Sequence, residues 1–160
     1  VSYVTMELAR NLKIDSVSRL QPARPLRLEP TCTVLAATEM MRKHRCGCVL
    51  VYDGKAVTGI FTERDFLRRV VAPGLSWETA VSEVMTPKPV CILAKDPVRM
   101  AVRRMEQGGY RHLPVLDETG RPVGVLTATR IVHYLAEHFP ATVYNLPPDP
   151  LAVPEEPEGA

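Results

Sequence analysis

No hydrophobic run in the 160-residue sequence approaches the ~20 residues that a membrane-spanning helix requires. The N-terminus also lacks the basic, apolar and small-residue zones of a signal peptide, so a cytoplasmic protein is expected. No P-loop or dinucleotide fingerprint occurs, and no Ser-His-Asp or Cys-His arrangement is legible from spacing. Zinc-type spacing is missing too: among Cys32, Cys46, Cys48 and Cys91 the one close pair, Cys46-Gly47-Cys48, is C-x-C with no second pair after it. Free thiols in a reducing compartment fit this pattern, with cysteine acting as a small apolar residue at the entry to a buried strand. His44, His133 and His138 lack an i+4 partner that would complete a ligand set. Neither an enzyme nor a required cofactor is expected.

A large excess of either charge is missing as well. The formal net charge is +2, and residues 140–160 hold four acids (Asp149, Glu155, Glu156, Glu158) and no Lys or Arg, so the body carries +6. That is too mild to announce nucleic-acid binding, yet it suits a pocket that neutralises phosphate. With 46% hydrophobic and 24% charged residues, the chain has the balance of a folded protein.

What the sequence does contain is a repeat. At an offset of 64, Pro25 falls on Pro89, Val34 on Val98, Ala37 on Ala101, Met41 on Met105 and Asp53 on Asp117. One extra residue in the next turn makes the offset 65, which places Gly59 on Gly124 and Thr62 on Thr127. Apolar residues three or four apart predict helices near 34–45 and 97–107, the second capped by Asp96 ahead of Pro97. Dense apolar runs at 48–52 and 113–116 predict strands, followed by hairpin partners at 57–61 and 122–126 and closing helices at 62–71 and 127–138. The fold class is α/β, with β-α-β-β-α written twice. A unit of about 55 residues buries one sheet face at best, so the two should pack sheet to sheet about a pseudo-twofold axis, with clefts at the junction.

The expected organisation is an N-terminal segment over 1–14, a first domain over 15–80, a second over 81–139 and a Pro-rich acidic tail over 140–160. Val4, Leu8 and Leu12 make the N-terminal segment a short amphipathic helix, suited to packing or dimerisation.

The strongest local signal is Gly59-Ile60-Phe61-Thr62-Glu63-Arg64-Asp65, repeated in altered form as Gly124-Val125-Leu126-Thr127-Ala128-Thr129-Arg130. A strand ends and a helix begins at each threonine, where unpaired first-turn N–H groups would favour an anion. Asp65 lies one turn on and can accept from two vicinal hydroxyls; the same spacing also describes a plain capping box. Arg111 offers a bidentate match to phosphate, or a surface ion pair, and His112 is either its neighbour in the site or a strand-end histidine.

With Ser82-Glu83-Val84-Met85-Thr86-Pro87 and Tyr110-Arg111-His112-Leu113-Pro114-Val115, this pattern resembles tandem cystathionine β-synthase-type (CBS) domain pairs, or Bateman modules, over roughly residues 15–138. The resemblance implies a regulatory module that binds AMP, ADP, ATP or S-adenosylmethionine between its repeats. It places Asp65 on the ribose, Thr62 and Arg64 beside it, and Arg111 and His112 on phosphate. Arg130 stands where the second ribose aspartate belongs, so that cleft is either empty or turns Arg130 toward phosphate. The resemblance also implies a homodimer, expected here to bury Phe66, Val70, Val71, Ile131, Leu135 and Phe139. Since the repeats occupy most of the chain, the regulated target is expected to be a separate protein. The alternative is a structural dimerisation module whose clefts no longer bind.

Overall fold

In the computed structural model, which describes residues 3–139, both repeats form their elements close to where the apolar spacing puts them. Helix α1 (Tyr3–Ile14) and a 3-10 turn (Val17–Leu20) precede β1 (Arg27–Leu28), α2 (Val34–His44) and the hairpin strands β2 (Cys48–Tyr52) and β3 (Val57–Thr62). The closing helix starts as α3 (Glu63–Asp65) and continues with π-helical geometry over Phe66–Val71. The second repeat comprises α4 (Val81–Val84), β4 (Thr86–Pro87), β5 (Ile92–Leu93), α5 (Val98–Gly108), β6 (His112–Leu116), β7 (Pro122–Thr127) and α6 (Ala128–His138). The tail expected over 140–160 lies outside the described residues.

Local chemistry explains most of these boundaries. The Thr33 hydroxyl caps α2 by accepting from the Ala36 N–H at 3.1 Å, and the helix buries Val34, Ala37 and Met41. It stops at Arg45, which adopts the left-handed conformation with φ 50°. The expected Asp96 cap is not formed. Pro97 occupies the capping position of α5, and Asp96 turns back so that its carboxylate accepts from the Leu93 N–H at 2.9 Å, bracing the preceding turn.

The two hairpins share one register. Leu50 faces Ile60 in the first, Pro114 faces Val125 in the second, and both bulge after the equivalent valines, Val51 and Val115. Each turn is closed by its aspartate: Asp53 accepts from the N–H groups of Lys55 and Ala56, and Asp117 from those of Thr119 and Arg121. Alternation along the strands then sorts the side chains. Val49, Val51 and Phe61 point to the helices of their own unit, whereas Cys48, Leu50 and Ile60 meet Val125 of the other sheet in a separate apolar layer. The sheets therefore pack face to face as expected.

Periodicity did not reveal that the leading segments are exchanged. Val17 and Leu20 are buried in the core of the second repeat with Ile92, Val98 and Leu126, while Val81 and Val84 are buried in the core of the first with Val34, Val49 and Phe61. Backbone pairing repeats the exchange: Ser16 bridges to Pro97, and Ala80, its equivalent at offset 64, bridges to Thr33. On the far side β4 joins the first sheet as a fourth strand against β3, and Ala23 pairs likewise with Val125 of β7. Helix α1 belongs to this arrangement, since Leu12 packs on the core of the second repeat.

Gly59 and Gly124, the most conspicuous pair in the repeat, mark where these crossing segments approach the sheet. A Cβ at Gly59 would lie 2.1 Å from the Met85 sulfur, and one at Gly124 would lie 2.7 Å from Cβ of Pro22. Both alanine substitutions should lower stability, by about 1–3 kcal/mol in urea titrations. Gly124→Ala should cost more than Gly59→Ala, because the Met85 thioether can swing aside whereas the Pro22 ring is fixed to its backbone. The reverse order would show that the crossing segment at Pro22 is the more compliant of the two.

Candidate functional site

Thr62 ends β3 in an extended conformation and caps the helix that follows, so the chain turns sharply at the edge of the inter-repeat junction. Asp65, one turn on, is buried, and the full capping box forms. Its Oδ2 accepts from the Thr62 N–H at 3.0 Å and the Thr62 hydroxyl at 2.7 Å. Its Oδ1 accepts from the Thr86 hydroxyl at 3.0 Å, with Arg69 Nε 3.7 Å away. Asp65 thus links the first repeat to the crossing strand β4.

The expectation of unpaired N–H groups in this first turn needs correction. The Glu63 N–H donates to the Gly47 carbonyl at 3.2 Å, and the Asp65 N–H donates to the Thr62 hydroxyl at 3.3 Å. The second repeat does the same, with Ala128 N–H on the Arg111 carbonyl and Arg130 N–H on the Thr127 hydroxyl. Two first-turn donors in each repeat are thus taken, one by the carbonyl just ahead of the hairpin and one by the capping threonine, so much of the charge for an anion has to come from side chains.

Those side chains converge. Thr62, Arg64, Asp65, Arg111 and His112 all line one cleft of about 340 Å³ between the repeats. Arg64 reaches across its mouth, donating to the Gly109 carbonyl at 3.5 Å. One part of the wall is apolar, formed by Ile60, Pro87, Pro89, Val90 and Tyr110; Lys88, Arg111 and Arg64 supply positive charge, and Glu63 opposes them. Burial holds the His112 imidazole below the ordinary histidine value of 6.5, against the pull of the Glu63 carboxylate and with help from the Arg111 and Arg64 charges.

The CBS domain family model matches residues 17–72 and again 81–137, which together make up well over half of the chain. The chain belongs to the CBS-domain family. Among curated relatives it is 44% identical over 96 residues to the meiotically up-regulated gene 70 protein of Schizosaccharomyces pombe, covering 59% of this chain and 13% of that protein. It is 40% identical over 127 residues to the CBS domain-containing protein CBSCBSPB2 of Arabidopsis thaliana, covering 79% of this chain and 22% of that protein. The chain thus spans at most about a fifth of these relatives' length. Among solved CBS structures, protein PAE2072 from Pyrobaculum aerophilum, complexed with AMP, superposes with a TM-score of 0.69 at 27% identity over 77% of this chain and 99% of that one.

The sixth residue singled out, Arg130, lies apart from the other five. Its Nε donates to the Leu20 carbonyl at 2.8 Å, and a terminal nitrogen lies 3.4 Å from the Gln21 side-chain oxygen. In the first CBS repeat the equivalent carbonyl, that of Val84, receives Arg69 at 3.2 Å. Arg130 therefore fastens a crossing segment, the task that Arg69 performs on the other side.

Several cleft residues went unrecognised in the sequence. Lys88, Pro89 and Val90 come from the connection after β4, and their role becomes visible only once β4 crosses to the first sheet. Lys88 sits at φ 46°, a left-handed conformation unusual for a non-glycine residue. Tyr110 stands over Gly108, where a Cβ would meet its ring at 1.9 Å. The residues expected at a dimer interface also need correction, because Val70 and Ile131 are buried and Phe66, Leu135 and Phe139 pack against the cores. Only Val71 of that group is well exposed, beside Leu67, Leu75 and Trp77; Val132 is exposed on α6. Cys48 is buried between the sheets, and burial pushes its thiol up to about 12. Among the described residues no helix is long and apolar enough to cross a membrane.

The depressed His112 value gives a pH dependence with a definite sign. Above pH 6.5 the imidazole is neutral in the folded and unfolded chain alike; below it the unfolded chain takes up a proton that the folded one resists, so stability falls. Urea titrations between roughly pH 5 and 7 should show a flatter pH profile for His112→Gln than for wild type. Identical slopes would mean that the imidazole is as well hydrated as in the unfolded chain.

Proposed function

We propose that the chain is a regulatory module that senses an adenosine ligand in the cleft holding Thr62, Arg64, Asp65, Arg111 and His112. The observation that carries this reading is that apolar residues and cationic side chains line a single cleft together with a buried carboxylate. Adenine fits the wall of Pro87, Pro89, Val90 and Tyr110, ribose the Asp65 carboxylate, and phosphate the Arg111 and Arg64 guanidiniums. A carboxylate offers about four acceptor sites, and three of those on Asp65 hold Thr62 and Thr86. A ribose diol takes the fourth and competes with the Thr86 hydroxyl, so occupancy of the cleft reads out at β4. AMP in the similar archaeal CBS protein supports the same ligand class here.

The module acts through a separate target protein in the cytoplasm, as a homodimer and without catalysis of its own. Val71 from the expected set, with the exposed apolar residues Leu67, Leu75 and Trp77, supplies the surface for self-association. The second reading, a structural module with non-binding clefts, is favoured at one point only: Arg130 is committed to the Leu20 carbonyl.

Calorimetry with AMP and adenosine separates the two readings. Wild type should bind both; Asp65→Asn, which retains an acceptor for the helix cap, should lose most of its affinity for each. Arg111→Ala should weaken AMP by about ten- to a hundredfold, the worth of one charge-assisted hydrogen bond, and leave adenosine nearly unchanged. No binding of either ligand by wild type would favour the structural module. Equal losses for both in Arg111→Ala would remove Arg111 from the phosphate.

A further inference from the structure

His112 opens β6 on the wall that the cleft shares with a second, more open groove, and Gly47 and Glu63 line both spaces with it. A Cβ on Gly47 would stand 3.3 Å from His112 Nε2 and 3.5 Å from Glu63 Oε2, so the imidazole and the carboxylate flank one point beside the bare glycine. The ring is half-buried, and among the described residues neither of its nitrogens has a hydrogen-bond partner.

The charges around this ring are opposed. Burial and the Arg111 and Arg64 guanidiniums disfavour its proton, and the Glu63 carboxylate favours it. Arg42, Arg45 and Cys46 complete the ionisable groups of the open groove, and Asp65, Lys88 and Tyr110 those of the cleft. Burial raises the Cys46 and Cys48 thiols on either side of Gly47, which keeps them protonated. A phosphate placed on Arg111 and Arg64 reverses the balance. It pairs with the two cations that oppose the imidazole's proton and brings negative charge of its own. An opposite charge within about 4–6 Å moves a titration by about one to three pH units, which outweighs the further loss of water at a ring already half-buried.

We propose that a nucleotide phosphate in the cleft makes His112 take up one proton from solvent, so that the module reads pH together with its ligand. The inference rests on the adenosine-ligand reading and adds a second signal to it. Between roughly pH 7 and 8.5 the imidazole of the free protein is neutral, so AMP brings a proton in as it binds, and binding weakens as pH rises. Adenosine, which has no phosphate, brings none. The window starts at about pH 7 because the second pKa of a phosphate monoester, about 6, adds its own titration below that.

Calorimetry of AMP and adenosine across this window, each in two buffers of different ionisation enthalpy, counts the protons taken up. Wild type should lose AMP affinity by up to about tenfold per pH unit, the limit for one linked proton, and should show no such loss with adenosine. His112→Gln should give a flat AMP profile with no uptake. The imidazole signals of wild type, followed by NMR over the same range, test the coupling without a substitution: His112 should titrate at higher pH in the AMP complex. AMP binding without proton uptake, equal uptake by His112→Gln, or an unmoved His112 titration would overturn the proton coupling and leave the adenosine reading standing. Failure of wild type to bind either ligand would overturn both.

Discussion

The structure depends on the exchange of leading segments between the two repeats. Each repeat by itself lacks two large apolar residues from its core, and the other repeat supplies them: Val17 and Leu20 in one direction, Val81 and Val84 in the other. Burying a valine or leucine contributes about 1.5–3 kcal/mol, a large share of the net stability of a small domain. Neither half is therefore complete alone, and the sheet-to-sheet layer of Leu50, Ile60 and Val125 completes the union.

The cleft is a consequence of that exchange. Because β4 crosses to pair with β3, Thr86 comes within hydrogen-bonding distance of Asp65, and the residues after it form the apolar wall. The crossing segment that secures the first core thus also walls the cleft beside it. A ligand that engaged Asp65 in the proposed way would compete for a contact that anchors β4, which would link occupancy to the packing of the two halves. Such a ligand shifts that packing only by its differential affinity for the two arrangements.

The same scaffold makes the two sides unequal. Asp65 and Arg69 share the work in the first repeat, the carboxylate on Thr62 and Thr86, the guanidinium on Val84. In the second, Arg130 stands at the Asp65 position and takes over the carbonyl contact, while Tyr134, at the Arg69 position, turns to a hydrogen bond with Asp15. Burial and the Asp15 carboxylate raise the Tyr134 hydroxyl to about 12, so it stays a donor and the pair holds the N-terminal segment to α6.

Much of this was legible in the residues themselves. Strand alternation and helical spacing are local properties, so the elements and the face-to-face packing followed from Val34, Ala37 and Met41, the apolar runs at 48–52 and 57–61, and their counterparts. The Thr62 to Asp65 turn and Arg111-His112 were equally readable, because a cap and a basic pair are short-range patterns. What remained hidden is set by chain crossing. The apolar spacing of Val17, Leu20, Val81 and Val84 states that they are buried and is silent on which core receives them. The apolar content of the two closing helices, over 62–71 and 127–138, likewise suggested an outer interface, where packing had already consumed Val70 and Ile131. Which first-turn N–H groups were taken, whether Arg130 faced a cleft and which residues walled the cleft at Asp65 were decided by contacts between segments some 15 to 110 residues apart. Local sequence determines which groups a segment can offer; only the closed chain determines which of them are already taken.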